Sequence, residues 1–229
     1  MISFFTLLAA CSGSQNPEND PVTETPQPTL KYLALGDSYT IGESVCSSCR
    51  FPEQLKAQLS QSLGKSISLQ VIATTGWTTS NLLGAVSAQN PSADQDLVTL
   101  LIGVNNQYQH QPFARYETEF PQLLQKAIAL AKGDKRRVIV VSIPDYAYTP
   151  FGQNSVNPAM ISTEINQYNA FAESYSAQQG VAFINITDIT RQGLEQPQLV
   201  ASDGLHPSQS AYAKFVERIL PMALAALGQ

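Results

Sequence analysis

Five short runs dominated by aliphatic residues, at 32–35, 68–73, 97–102, 138–143 and 181–186, alternate along the chain with longer segments of helical period. A continuous apolar run of strand length fits a strand covered on both faces, and the intervening segments are long enough to return over the sheet as helices. The alternation therefore predicts an α/β fold of three layers, α/β/α, around a five-stranded parallel sheet. The helices are legible as stripes. Leu55, Leu59 and Leu63 recur at every fourth position behind Pro52, which suits a first helical turn. Phe113, Tyr116, Phe120, Leu123, Leu124, Ala127 and Ile128 form a second stripe, with Pro121 as a kink or restart and Gly133 as the stop. Ile161, Ile165, Tyr168, Ala172 and Tyr175 form a third that ends at Gly180, and a last helix is expected over about 209–227. No internal repeat or later linker breaks this pattern, so residues 30–229 are expected to form one domain.

The first thirty residues read differently. Residues 1–10 are an apolar stretch too short to span a bilayer, of the size of a signal-peptide core. Leu8-Ala9-Ala10-Cys11 resembles the lipobox of bacterial lipoproteins. That resemblance implies a signal cleaved before Cys11, a lipid on that cysteine, and export to the cell envelope, periplasmic or on the outer surface. No Lys or Arg precedes the apolar stretch, as a signal usually has, and an ordinary signal with an incidental cysteine is the alternative. Residues 12–29 hold almost no apolar side chain and many Pro, Ser, Asn and Thr, the composition of a disordered tether. Extended, such a segment reaches up to ~55 Å at ~3.1 Å per residue.

Composition narrows the partners. Thirteen Lys and Arg stand against 18 Asp and Glu, with no basic run beyond Lys135-Arg136-Arg137, so little is available to neutralise nucleic-acid phosphates. Two histidines and three cysteines supply one thiolate or imidazole site at most, and their positions do not suggest one; no metal and no cofactor are expected. No run of about 20 apolar residues is present, which excludes a polytopic membrane protein.

In open α/β sheets ligands sit beyond the carboxyl ends of the strands, where the strand order reverses. The loops expected there read Leu35-Gly36-Asp37-Ser38-Tyr39, Thr75-Gly76-Trp77 and Ile102-Gly103-Val104-Asn105-Asn106, with Ser202-Asp203-Gly204-Leu205-His206-Pro207 before the last helix. Alone, each fragment is a turn or a helix cap. Together, in this order across residues 31 to 215, they resemble the SGNH/GDSL hydrolase family, and within it lysophospholipase-like esterases. The resemblance implies a flavodoxin-like sheet and ester hydrolysis through an acyl-serine.

The residues carry that chemistry on their own terms. A serine hydroxyl needs a base to become a nucleophile, and a neutral imidazole is matched to the task near pH 7. Only His110 and His206 are available. Asp203 precedes His206 by three residues with Gly204 between, so a tight turn brings carboxylate to imidazole; His110 has no acid until Glu117 and reads as an exposed loop residue at a pocket rim. Ser38 is thus the expected nucleophile, His206 the base and Asp203 its partner. The resemblance further implies oxyanion donors at the backbone N–H of Ser38 and of Gly76 and at the Asn105 amide. The family commonly has Asp where Asn106 stands and Leu where Tyr39 stands; the Asn106 carbonyl oxygen is still able to accept the loop's supporting hydrogen bond.

Cys46-Ser47-Ser48-Cys49 follows the nucleophile. Such a pair forms a disulfide, a redox couple or half a zinc site. No second cysteine pair complements it, and Arg50-Phe51-Pro52 separates it from the helix start, so in an exported protein a disulfide is expected, with free thiols next. Tyr39, Trp77, Tyr108, Tyr146, Tyr148 and Phe151 are expected to line a pocket suited to a sugar face or an acyl chain, or to pack beneath the loops. The substrate class is a small-acyl, lysophospholipid or acetylated-glycan ester, met by a monomer whose only membrane contact is the lipid. A lipoprotein that binds glycan or lipid without turnover, and an acyltransferase using the same serine, are the alternatives.

Overall fold

The computed structural model describes Met1, Ile2 and residues 29–228; the expectations placed on Cys11 and on nearly all of the signal and tether fall outside these residues. The chain runs β1 (Leu30–Gly36), α1 (Ser38–Ile41), α2 (Phe51–Leu63), β2 (Ile67–Ala73), α3 (Thr79–Gln89), β3 (Leu97–Leu101) and α4 (Val104–Tyr108). It continues through α5 (Phe113–Leu130), β4 (Val138–Val141), α6 (Pro150–Gln153), α7 (Pro158–Gln179), β5 (Ala182–Ile184), α8 (Thr187–Thr190) and α9 (Gln209–Ala226). All four strand pairings are parallel and the order is β2-β1-β3-β4-β5. This is the expected five-stranded α/β fold. The chain runs from β1 to one side and then crosses to the other, so the order reverses between β1 and β3.

Helix α2 packs on α9, while α5 packs between α3 and α7, which gives the two outer layers. Strands β3 and β4 are buried at every position; they consist of Val, Ile and Leu except for Thr99, whose hydroxyl is paired with that of Tyr32 at 2.9 Å. Between α5 and α7 an aromatic layer closes the core: Tyr116 meets Tyr168 at 4.6 Å between ring centroids, and Phe113 meets Tyr168 at 4.9 Å. Pro121 is accommodated inside α5, which runs on to Leu130 rather than restarting. Gly133, in the left-handed region at φ 72°, donates its N–H to the Ile128 carbonyl and ends the turn after α5.

Some boundaries differ from the sequence pattern. Strand β4 stops at Val141, although the Ser142 N–H still donates to the Ile184 carbonyl at 2.9 Å, and the Ser142 hydroxyl pairs with that of Thr187 at 2.8 Å. Strand β5 is only three residues long. Helix α3 has no counterpart in the expectations. It buries only Thr79, Leu82 and Val86, so its stripe is faint, and its cap pairs Thr78 with Asn81 rather than with the usual Glu or Gln.

Candidate active site

β1 delivers the chain to Gly36, where a Cβ would lie 2.1 Å from Thr40 Oγ1 and 2.5 Å from the Leu101 carbonyl oxygen. Only glycine lets this turn sit against β3. Asp37 then caps α1, its Oδ1 accepting from the Tyr39 N–H at 3.0 Å, and Ser38 is the first residue of the helix. A backbone N–H in that first turn has no partner within the helix and is available to an incoming anion. Ser38 is 3% exposed and borders a cavity of about 250 Å³.

His206 borders the same cavity. Its turn is built by Asp203, whose Oδ1 accepts from the N–H groups of Leu205 at 2.9 Å and His206 at 3.0 Å. Gly204, at φ 71°, supplies the left-handed residue that closes the turn. Asp203 Oδ2 lies 2.6 Å from His206 Nδ1. A carboxylate there requires a donor, which in the neutral imidazole places the proton on Nδ1 and the lone pair on Nε2. Partial burial works against ionisation of Asp203, but hydrogen bonds from the Ser44 hydroxyl, His206 and the two backbone N–H groups outweigh it and hold the carboxyl well below its ordinary range.

The other two loops complete the cavity wall. Gly76 lies at φ 82° with open space where a Cβ would project, and its carbonyl accepts from the Gln109 amide at 2.9 Å. Asn105, 8% exposed, donates one amide hydrogen to the Trp77 carbonyl at 3.0 Å and keeps a second. Fully buried Asn106 fastens this loop to α3: its Oδ1 accepts from the Thr79 N–H at 3.0 Å, and its Nδ2 donates to Thr79 Oγ1 at 2.7 Å. An aspartate there would supply the first of these bonds but not the second.

Among the aromatic residues, Tyr39, Tyr108, Tyr146 and Phe151 border the cavity. Tyr39 is itself 4% exposed, its ring centroid 5.1 Å from that of His206, so it is mainly a packing partner of the imidazole. Trp77 and Tyr148 do not border it. The Trp77 ring is half-buried against the core, because the turn at Gly76 directs its carbonyl rather than its side chain toward Asn105. Tyr148 lies at the exposed end of the turn that carries Tyr146. His110 is exposed at φ 53° on the rim of an adjoining groove. Cys46 and Cys49 are joined as a disulfide.

Several contributors had no local signal. The Ser44 hydroxyl reaches Asp203 Oδ2 at 2.6 Å across 159 positions of sequence. Asp145, buried and paired with Arg191 at 2.9 Å, caps the turn that presents Tyr146, while Gln107 accepts from the Tyr146 hydroxyl at 2.9 Å. Each pairing joins separate loops, so only the folded chain reveals it.

The sequence profile of the GDSL-like Lipase/Acylhydrolase family matches residues 34–214, a span that contains every residue of this cavity. The chain belongs to that family. No curated protein matches the sequence. Several solved structures share the fold at low identity. The lipase Lip_vut3 from a goat rumen metagenome is 18% identical, with a TM-score of 0.67 over 84% of this chain and 97% of its own. An acetylxylan esterase from Geobacillus stearothermophilus is 18% identical, with a TM-score of 0.61 over 87% of this chain and 94% of its own. The psychrotrophic esterase EstA from Pseudoalteromonas sp. is 16% identical, with a TM-score of 0.63 over 87% of this chain and 99% of its own.

Proposed function

We propose that this family member is a serine esterase that hydrolyses carboxylic esters through an acyl-serine intermediate. The observation that carries the reading is the meeting of Ser38, from the end of β1, with the Asp203-oriented His206, from the loop before α9, on one cavity walled by Gly76 and Asn105. Ser38 Oγ attacks the ester carbonyl carbon while His206 Nε2 takes its proton. The N–H groups of Ser38 and Gly76 and the Asn105 amide receive the developing oxyanion. As the carbon–oxygen bond to the alcohol breaks, His206 returns the proton to the leaving oxygen. Water, deprotonated by the same imidazole, then attacks the acyl carbon and frees Ser38.

The walls favour an apolar substrate arm. Tyr108, Tyr146 and Phe151 border both this cavity and a neighbouring groove of about 640 Å³, which continues past Val156, Met160 and Ile161. An acyl chain longer than acetyl would therefore gain buried contact there, at roughly 0.8 kcal/mol per buried methylene. The test is turnover of p-nitrophenyl acetate, butyrate and octanoate by the wild type and by Ser38→Ala. We expect kcat/KM to rise from acetate to the longer esters and to vanish in Ser38→Ala. Equal turnover by the two proteins on every ester would overturn the reading. The lipobox motif at Cys11 supports a further part of it: a lipid-anchored protein of the bacterial cell envelope.

A further inference from the structure

The segment between the nucleophile and the disulfide is held at each step, and within residues 39–45 Ser44 alone is exposed. Gly42 and Glu43 both donate their N–H to the Ser38 carbonyl, at 3.0 and 3.1 Å. The Glu43 carboxylate accepts from the Thr75 hydroxyl, one residue before Gly76. Arg50 Nη1 donates to the Ile41 carbonyl at 3.3 Å, and Cys46–Cys49 closes the following turn covalently. Within this frame Ser44 sits at φ 64°, a left-handed conformation that non-glycine residues keep only when their surroundings impose it.

Glycine would occupy that backbone position more easily, and an exposed serine side chain contributes no core packing. What the serine adds is its hydroxyl. That hydroxyl donates to Asp203 Oδ2, the same oxygen that meets His206 Nδ1. The Asp203 carboxylate thus has two backbone donors on one oxygen and Ser44 with His206 on the other, which leaves it no freedom to rotate away from the imidazole.

Resting on the esterase reading above, we propose that Ser44 is a positioning residue for Asp203, and that the Cys46–Cys49 loop keeps its hydroxyl in place. Asp203 orients His206, Ser44 orients Asp203, and the disulfide limits the excursions of the turn that carries Ser44. A loss of this support misplaces the base without touching the substrate pocket, so it acts on kcat rather than on KM.

The test uses the full-length chain. Ser44→Gly removes the hydroxyl, which costs a hydrogen bond to Asp203, and relieves the left-handed backbone, which offsets that cost, so the variant is expected to stay folded with a Tm within a few degrees of the wild type. Its kcat on p-nitrophenyl butyrate is expected to fall about tenfold to a hundredfold at unchanged KM, the size of a lost hydrogen bond to a charged group. Ser44→Ala is expected to lose the same kcat. The double variant Cys46→Ser/Cys49→Ser is expected to lose kcat in the same direction, and little more when combined with Ser44→Gly, because both act through one hydroxyl. The rate at which a fluorophosphonate labels Ser38, read by intact mass, gives the same comparison without an ester substrate. A wild type that is never labelled would overturn the esterase reading and this inference with it. A labelled wild type matched in rate by Ser44→Gly would overturn this inference alone, as would additive losses in the cysteine and Ser44 variants.

Discussion

Two carboxylates flank the catalytic groups, and their environments push them in opposite directions. Asp203 is held low by four donors, so its contribution to stability is present above the usual carboxylate range and is lost only as pH falls through it. Asp37 is fully buried, its Oδ2 has no hydrogen-bond partner among the described residues, and burial pushes its pKa from 3.8 up to about 7. Between those two values the folded chain binds a proton that the unfolded chain has released. Asp37 therefore subtracts from stability as pH rises through this window, and the cost levels off above about 7. Asp37→Asn keeps an oxygen able to accept from the Tyr39 N–H and abolishes the ionisation. It is expected to melt several degrees above the wild type at pH 8, where the cost reaches at most about 4 kcal/mol, and to gain far less at pH 4. Melting curves of both proteins across this range check it. A difference in Tm independent of pH would show that Asp37 does not titrate there.

At the scale of elements, legibility follows how local each constraint is. The central strands were readable because a strand buried on both faces is dominated by apolar residues, as in Leu97–Leu101, where Thr99 is the one polar position, and Val138–Val141. Helices α5 and α7 were readable because their apolar residues recur with helical period, and in the fold these stripes meet: Phe113, Tyr116 and Phe120 against Tyr168 and Tyr175, with Phe171 between them. Helix α3 was not, because it turns so little apolar surface inward that its period vanishes into Ser, Asn, Gly and Ala. In the site, the Asp203–His206 turn is encoded within four residues and its motif was visible. The Ser44–Asp203 and Tyr146–Gln107 contacts join distant loops and left no pattern to read. Trp77 was misplaced because sequence order does not tell which of a turn residue's groups faces the cavity. The α5–α7 layer offers a direct check of how stability is distributed. Phe120, 1% exposed, meets Tyr116, Phe171 and Tyr175, and none of the four borders the catalytic cavity. Phe120→Ala is expected to cost about 3–5 kcal/mol through a cavity that the stiff aromatic neighbours fill only partly. Calorimetry should record a fall in Tm on the order of 10 °C for a domain of this size. Below that transition kcat is expected to be retained, and a lost kcat in the folded variant would mean that this layer also supports the site.

For the whole molecule, the parallel sheet fixes where the chain enters relative to where it works. Every strand points the same way, so Ser38, Gly76, Asn105 and Tyr146 all follow strand ends at one edge, and the first residue of β1, Leu30, lies at the other. Seven residues of strand separate the two edges by about 23 Å at 3.3 Å per residue. If a lipid on Cys11 holds the chain, the segment that leads back to it leaves from the edge opposite the catalytic cavity. The point of attachment then lies about a strand's length from the cavity, so the tether has to span that distance before the cavity meets the surface of the same membrane. Reaching a lipid of the same membrane would require the domain to invert over its connecting segment, and the length of that segment sets whether it can. Lipidated chains with residues 14–25 deleted should accordingly turn over p-nitrophenyl butyrate like the parent and lose turnover of a lysophospholipid embedded in the vesicles that carry them. The mature N-terminus is checked by mass spectrometry, where an acylated Cys11 is expected and an unmodified one would remove the premise. Equal loss on both esters would show that the deleted residues support the fold itself, and no loss on either would show that tether length does not limit access to the membrane lipid.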